Sequence, residues 1–302
     1  MAQQENMTLN EFYDNFPDEK SCRDYLYTKR WPDGFKCPKC GVVGEPFNVS
    51  SRNVFECKHC RHQTTVTAGT IFDKTRTPLR KWFLAIYLMS SDKRGCSAMR
   101  LKRELKIAYD TAWTMSHKIR NAMKERDETY KLQGFIEMDE GFFGSPGEGG
   151  KRGRGTDKAP VVVGLSLDKY GNPEFIKAQV LAKVDGESVA EFTEENVKKS
   201  STVSTDGLTI YNKLAKIGFM HEPKKLDPKE NPEHLRWLHV VISNLKAFLG
   251  GTYHGVPKKH LQAFIDEFCY RFNRRFWQEQ LFARTLCACA SAAPFTRSVL
   301  VG

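Results

Sequence analysis

The sequence predicts an α/β protein in which a layered sheet-and-helix domain follows a small metal-stabilised ribbon and a basic helical segment. Three observations predict it. Strand-like runs succeed one another from residue 134 and helical runs alternate with them afterwards. Two Cys-x-x-Cys pairs lie between residues 31 and 72 amid Gly, Pro and short β-prone runs. Between them and the sheet, residues 74–106 hold ten basic side chains and two acidic ones.

The elements follow in order. Residues 1–30 read as a helical lead-in with Phe12, Phe16, Tyr25 and Tyr27 as candidate core aromatics. Residues 31–72 form the ribbon, with Asn53-Val54-Phe55 and Thr64-Thr65-Val66-Thr67 as its strand-prone runs. Residues 73–133 are helical. Pro78 opens a helix in which Leu79, Trp82, Phe83, Ile86 and Tyr87 recur at helical spacing. Beyond Gly95, a run with Ala98, Leu101 and Leu105 and a second with Ala112, Trp113, Met115, Ile119 and Met123 flank a break at Lys106-Ile107-Ala108. Two short basic helices joined by a tight turn fit a helix-turn-helix, or else an ordinary helical linker.

From Gly134 the pattern changes. Residues 134–140 read as a strand, and residues 144–155 are too rich in glycine for regular structure and form a basic loop carrying Lys151, Arg152 and Arg154. Val161–Leu165, Phe175–Leu181 and Val203–Asp206 are further strands. A helix capped by Ser188 with Glu191 precedes the last of them, and helices near 208–216, 234–249 and 257–273 follow it. Phe268, Tyr270, Phe272, Phe276 and Trp277 are assigned to the core, and Arg271, Arg274 and Arg275 are candidate polyanion contacts. Residues 291–302 are a tail.

Composition narrows the function. The chain has 302 residues, 47 Lys plus Arg against 36 Asp plus Glu, and a formal net charge of +11. Of that excess, +8 falls within residues 1–133. A polyanion is the natural partner of such a distribution, with a solvated helix face as the plain alternative. Hydrophobic residues make up 40% and aromatic ones 12%, so a largely disordered chain is excluded. No apolar run approaches the ~18–20 residues of a membrane span, and the acidic N-terminus lacks the apolar centre of a signal peptide. The expectation is a soluble, intracellular protein without a membrane partner.

Two constellations carry chemistry. Cys37 and Cys40 are separated from Cys57 and Cys60 by sixteen residues, the spacing of a structural four-cysteine zinc site. Cys22, Cys96, Cys269, Cys287 and Cys289 lack that spacing and are expected to be free thiols. The second constellation is acidic. Asp139 closes the strand in Glu-Met-Asp-Glu-Gly and Asp206 closes another in Val-Ser-Thr-Asp-Gly. Carboxylates at adjacent strand ends can converge on magnesium or manganese, although Asp before Gly is also a common turn former. Glu137 shares a strand face with Asp139, whereas Glu140 points away; both read as surface charges.

The cysteine ribbon, AWTMSHKIR, EMDEGFFG, the Gly-rich loop with its VVVGLSLD strand, STDGLTIY and LGGTYHGV-x-KKHLQAFIDEFCYRFNRR together resemble the ISXO-like insertion-sequence transposases over about residues 20–290. The resemblance implies a zinc-ribbon head and an RNase H-like catalytic domain of the DDE type, a mixed sheet with flanking helices, over residues 134–290. It implies metal-dependent cleavage and strand transfer at the ends of an insertion sequence. The implied partner is double-stranded DNA, as element ends and as target, bound by a homo-oligomer. The implied setting is the bacterial cytoplasm, at the nucleoid. By position it gives Asp139 and Asp206 the first two metal-binding roles.

The family pattern ends in Glu, Asn or His followed by Lys. Here the segment reads Leu238-His239-Val240-Val241-Ile242-Ser243-Asn244-Leu245-Lys246, and no acid lies between Glu233 and Asp266. His239 and Lys246 are seven residues apart and share a helix face. His239 is therefore taken as the third metal ligand, with Lys246 beside it and Asn244 as the alternative. A DNA-binding regulator with an inactive catalytic domain and a structure-selective nuclease without strand transfer are the competing functions.

Overall fold

The computed structural model describes residues 7–144, 158–225, 233–297 and residue 300. The chain forms two compact units, one of residues 1–126 with 276–302 and one of residues 127–275. The basic loop with Lys151, Arg152 and Arg154 lies outside the described residues.

The first unit begins with α1 (Leu9–Asn15) and α2 (Glu19–Arg30), each opened by a reciprocal cap, Thr8 with Glu11 and Asp18 with Ser21. Phe12 and Phe16 are buried against Phe83 and Phe282. The ribbon follows as β1 (Phe47–Val49), β2 (Val54–Glu56) and β3 (Gln63–Thr64), an antiparallel sheet in that order. It has almost no aliphatic core; Tyr27, Trp31, Phe35 and Phe55 stack on one another in its place. Then come α3 (Leu79–Ser91), α4 (Ala98–Leu105) and α5 (Tyr109–Asp127). Three residues join α4 to α5, and Lys106 turns the chain in a left-handed conformation (φ 49°). Two cations of α5 turn inward: the Lys118 ammonium donates to the Ile71 carbonyl at 3.3 Å and Arg120 to the Ser116 hydroxyl at 3.1 Å.

The second unit is a five-stranded sheet flanked by helices. Its strands are β4 (Phe135–Phe143), β5 (Ala159–Leu167), β6 (Pro173–Val180), β7 (Thr202–Thr205) and β8 (Met220–Pro223), in the order β6-β5-β4-β7-β8. β6, β5 and β4 pair antiparallel, while β4, β7 and β8 pair parallel, the mixed RNase H-like arrangement implied by the resemblance. The parallel pairs need crossovers, which α6 (Gly186–Asn196) and α7 (Lys213–Lys216) supply. α8 (Arg236–Tyr253) and α9 (Lys258–Phe272) complete the unit. Alternation along β5 sends Val161, Val163 and Leu165 into a core with α8 and α9, and Val162 into another with Phe192 of α6.

Several expectations are corrected. α6 is capped by Asp185, whose carboxylate accepts the Ser188 N–H at 2.9 Å, because Ser188 already lies inside the helix. The sheet unit ends at Arg275, not at 290. The last helix, α10 (Leu281–Ser291), packs instead with α2 and α3 through Phe282. Phe276 is 71% exposed and Trp277 40%, so neither is core. The three arginines proposed as polyanion contacts serve the fold. Arg271 faces Glu267, Arg275 donates to the carbonyls of Glu174 and Phe272, and Arg274 pairs with Asp127 at 2.7 Å. Among the described residues no helix is long and apolar enough to cross a membrane.

Asp127 opens the second unit and Arg274 nearly ends it. Asn273 reinforces their contact by donating to Asp127 at 3.0 Å and to the Ile176 carbonyl at 3.1 Å, and Lys177 donates to the Asp127 carbonyl. Arg274→Ala leaves a buried carboxylate without its guanidinium, and thermal or denaturant unfolding should show a loss of about 3–5 kcal/mol. An unchanged melting curve would refute this clasp.

Candidate functional site

The site is built on β4. Period-two alternation puts Glu137, Asp139, Gly141 and Phe143 on the face covered by α8, and Ile136, Met138 and Glu140 on the other. β4 continues to Phe143, so Asp139 sits in mid-strand and not at a strand end as the sequence suggests. Gly141 is no turn residue either. A Cβ there would stand 2.7 Å from the Phe143 ring two residues along the same strand, so a larger residue would push that ring aside, whereas Ile242 of α8, at 3.4 Å, is at ordinary contact distance.

Asp206 arrives from the neighbouring strand. β7 pairs parallel with β4 through Glu137↔Ser204, and Asp139 and Asp206 each lie two residues further on. Asp206 Oδ1 accepts the Leu208 N–H at 3.0 Å, so the aspartate does form the local turn that the plain reading of Asp-Gly anticipated. Two histidines absent from the sequence-based site fix the residue before it. His221 Nε2 lies 2.9 Å from the Thr205 hydroxyl, and His234 Nε2 lies 3.1 Å from the Thr205 carbonyl. Their signal was unreadable in one dimension, since His221 belongs to β8 and His234 to the approach to α8.

α8 delivers the imidazole. His239 Nε2 lies 3.1 Å from Asp139 Oδ2, with the carboxylate mostly buried and the ring half exposed. The hydrogen bond to Asp139 raises the His239 pKa against the opposing effect of burial, and the charges of Asp139, Glu137 and Asp206 add to the rise. Asn244 is exposed on α8 and makes no such contact with Asp139. Lys246 follows two turns after His239, its ammonium 5.5 Å from the Phe143 ring centre. His239 and Lys246 thus face β4 at positions four residues apart along one strand face.

Glu137 is the residue that sequence reasoning passed over. It is only 5% exposed, and its carboxylate accepts the Leu238 N–H at 3.1 Å. Leu238 is the third residue of α8, whose N-cap, Leu235, offers no side-chain acceptor. A carboxylate on a neighbouring strand therefore takes the capping role and favours the positive end of the helix. Burial pushes its pKa up, against the N–H donors of Leu238 and Leu235. The available signal was its place in the strand pattern: an acid two residues before Asp139 shares its inward face. On the opposite face Tyr211 donates to Glu140 at 2.8 Å.

Carboxylate oxygens and an imidazole are donors of the kind magnesium or manganese accepts. Of the three side chains, however, Asp139 and His239 meet directly, and among the described residues the three are not drawn together as a ligand group. The four cysteines present a different chemistry. Their sulfurs all lie within 4.8 Å of one another, with Cys37 to Cys60 at 3.6 Å and Cys40 to Cys57 at 3.7 Å. Zinc–sulfur bonds of about 2.3 Å at a tetrahedral centre require sulfur separations of about 3.8 Å, so the cluster fits a structural zinc. Backbone N–H donation from Cys60 lowers the Cys57 thiol pKa, and at Cys37 donation from Cys40 and Lys39 outweighs burial, whereas at Cys40 donation from Val42 is outweighed by burial and the neighbouring sulfurs, which push it up to about 12.

The ISXO2-like transposase domain family matches residues 131–273, and the transposase zinc-ribbon domain family matches residues 17–63. An uncharacterised protein in transposable element ISH50 of Halobacterium salinarum is 30% identical over 219 residues, which cover 66% of this chain and 71% of that protein. A chain in the crystal structure of a pre-cleavage Mos1 transpososome aligns with 67% of this chain and 76% of its own length, at 11% identity and a TM-score of 0.27.

Cys57→Ala should abolish stoichiometric zinc, measured by metal analysis, and change Trp31 fluorescence, because Trp31 stacks within the ribbon. Retained zinc would refute the four-thiolate site. Glu137→Ala should destabilise the protein by about 1–2 kcal/mol through loss of the cap. Glu137→Gln, which keeps an oxygen for the Leu238 N–H, should recover part of it; equal losses in the two variants would rule out capping.

Proposed function

The chain belongs to the ISXO2-like transposase family, and from that premise we propose that it binds the ends of its insertion sequence, cleaves them and joins them to target DNA, using magnesium or manganese held by Asp139, Asp206 and His239. The observation that carries this reading is the meeting of Asp139 on β4 with His239 on α8, beside the parallel strand β7 that Asp206 directly follows. Asp139, Asp206 and His239 would hold the divalent metal, which would supply activation of the attacking oxygen and compensation of charge on the leaving one. The chain's residues provide the frame. Asp139 and Asp206 present hard oxygen donors from two hydrogen-bonded strands, and His239 offers a ring nitrogen from a helix whose first turn Glu137 holds. Lys246, one helical face along, suits a phosphate as a point charge.

The ribbon and the helical segment serve DNA binding in this reading, because the excess of positive charge lies in residues 1–133. The active form is a homo-oligomer on DNA, at the bacterial nucleoid. The placement of His239 also bears on activity. Imidazole is a poorer partner for magnesium than carboxylate, so the third position is the weak point of the donor set.

Incubation with duplexes carrying the element ends and either magnesium or manganese, scoring cleavage and joining separately, tests the proposal. Asp139→Ala and Asp206→Ala should abolish cleavage while leaving DNA binding nearly intact. His239→Glu should preserve or raise cleavage. Binding without cleavage in the unaltered protein under both metals would favour a DNA-binding regulator, and cleavage without joining a nuclease.

A further inference from the structure

A groove of about 510 Å3 opens on the first unit, between the ribbon, α2 and the N-terminus of α3. Three arginines reach it from three separate elements: Arg23 on α2, Arg52 on the turn between β1 and β2, and Arg76 on the loop before α3. Other arginines of this unit are tied down. Arg30 donates to the carbonyls of Thr65, Val66 and Ala68, Arg80 to that of Phe16, Arg61 pairs with Glu56, and Arg94 and Arg100 pair with Asp92. Arg23, Arg52 and Arg76 make no ion pair and donate no hydrogen bond among the described residues.

The acid on the groove's lining does not balance them. Glu19 is committed to the start of α3, its two oxygens accepting the N–H groups of Leu79 at 2.7 Å and Arg80 at 3.1 Å. Thr65 and Thr67 add hydroxyls to the same wall. Three like charges gathered around one concavity repel one another, and an external anion relieves that repulsion. Guanidinium forks from several directions suit a run of phosphates better than a single small anion, because each can take its own oxygen pair. Hydroxyl side chains are common companions on such a backbone.

We propose that this groove is a binding site for the phosphate backbone of duplex DNA, separate from the site on β4. The inference rests on the reading of the chain as a DNA-processing enzyme and adds where on the first unit the backbone lies. Contacts of this kind position the duplex without reading its sequence, so the groove supports binding to any duplex equally. It also assigns a role to the surface between the zinc ribbon and α3 that does not depend on α4 or α5.

The test uses the full-length protein and a duplex of random sequence, with affinity measured over a range of salt. The combined variant Arg23→Ala, Arg52→Ala, Arg76→Ala should bind at least about 10-fold more weakly at moderate salt, and its slope of log affinity against log salt should shrink by about 2.7, near 0.9 for each lost phosphate contact. Lysine at all three positions should restore most of the slope. A control of Lys20→Ala, Lys58→Ala, Arg61→Ala removes the same charge from side chains that are paired with Asp24, Glu45 and Glu56, and should change the slope far less. Zinc content and melting temperature check that the variants fold. A wild-type slope in the alanine variant, an equal loss in the control, or a lysine variant as weak as the alanine one would overturn the groove while leaving the proposed transposase function standing. A wild-type protein that bound no duplex at any salt would sink both.

Discussion

β4 is covered on both faces and hydrogen-bonded on both edges, antiparallel to β5 over its whole length and parallel to β7 over its first three residues. A strand in that position cannot slip by one residue without exchanging its two sets of side chains, since neighbours alternate between faces. Ile136 and Met138 would leave one core, and Glu137 and Asp139 would enter it. The apolar contacts of one face therefore fix the acids on the other. The same register pairs Glu137 with Ser204, two residues before Asp139 and Asp206 on their strands, and α8 brings His239 to Asp139. The candidate site is held by the packing of residues that carry no chemistry.

The parts legible in the sequence were those specified by local spacing. The cysteine pairs, the continuous apolar run of Val161 to Leu165 and the helical recurrence of Leu79 to Tyr87 each encode their structure within a few residues. His239 and Lys246 could be placed on one helix face from their seven-residue separation alone. What spacing could not supply were partners distant in the chain. Glu137 reads as a surface acid until α8, a hundred residues later, needs a cap. His221 and His234 read as incidental until both close on Thr205. Arg274 looks like a free cation because Asp127 lies on the far side of the whole unit in sequence. Phe276 and Trp277 failed for another reason: an aromatic-rich run looks apolar throughout, whereas the helix ends at Phe272 and the chain then turns out to solvent.

The ribbon and the candidate site on β4 differ in the softness of their donors as well as in place. Thiolates in the ribbon offer four soft donors and a closed tetrahedron, which leaves no position for water and makes the metal a substitute for an apolar core. On β4 and α8 the donors are carboxylate oxygens and one half-exposed ring nitrogen, whose preferences hardly overlap with those of thiolates.

The clasp between Asp127 and Arg274 joins the first and nearly the last residue of the sheet unit. Seen from the remaining chain, the whole unit is then a short bridge and not a long open loop, and the entropy of bringing its flanks together is largely met by its own folding. Those flanks are α5 on one side and α10 on the other, and α10 supplies Phe282 to the aromatic cluster of Phe12, Phe16 and Phe83. Because α10 follows the sheet unit in the chain and α1 to α3 precede it, that aromatic cluster is complete only with residues from both sides of the unit.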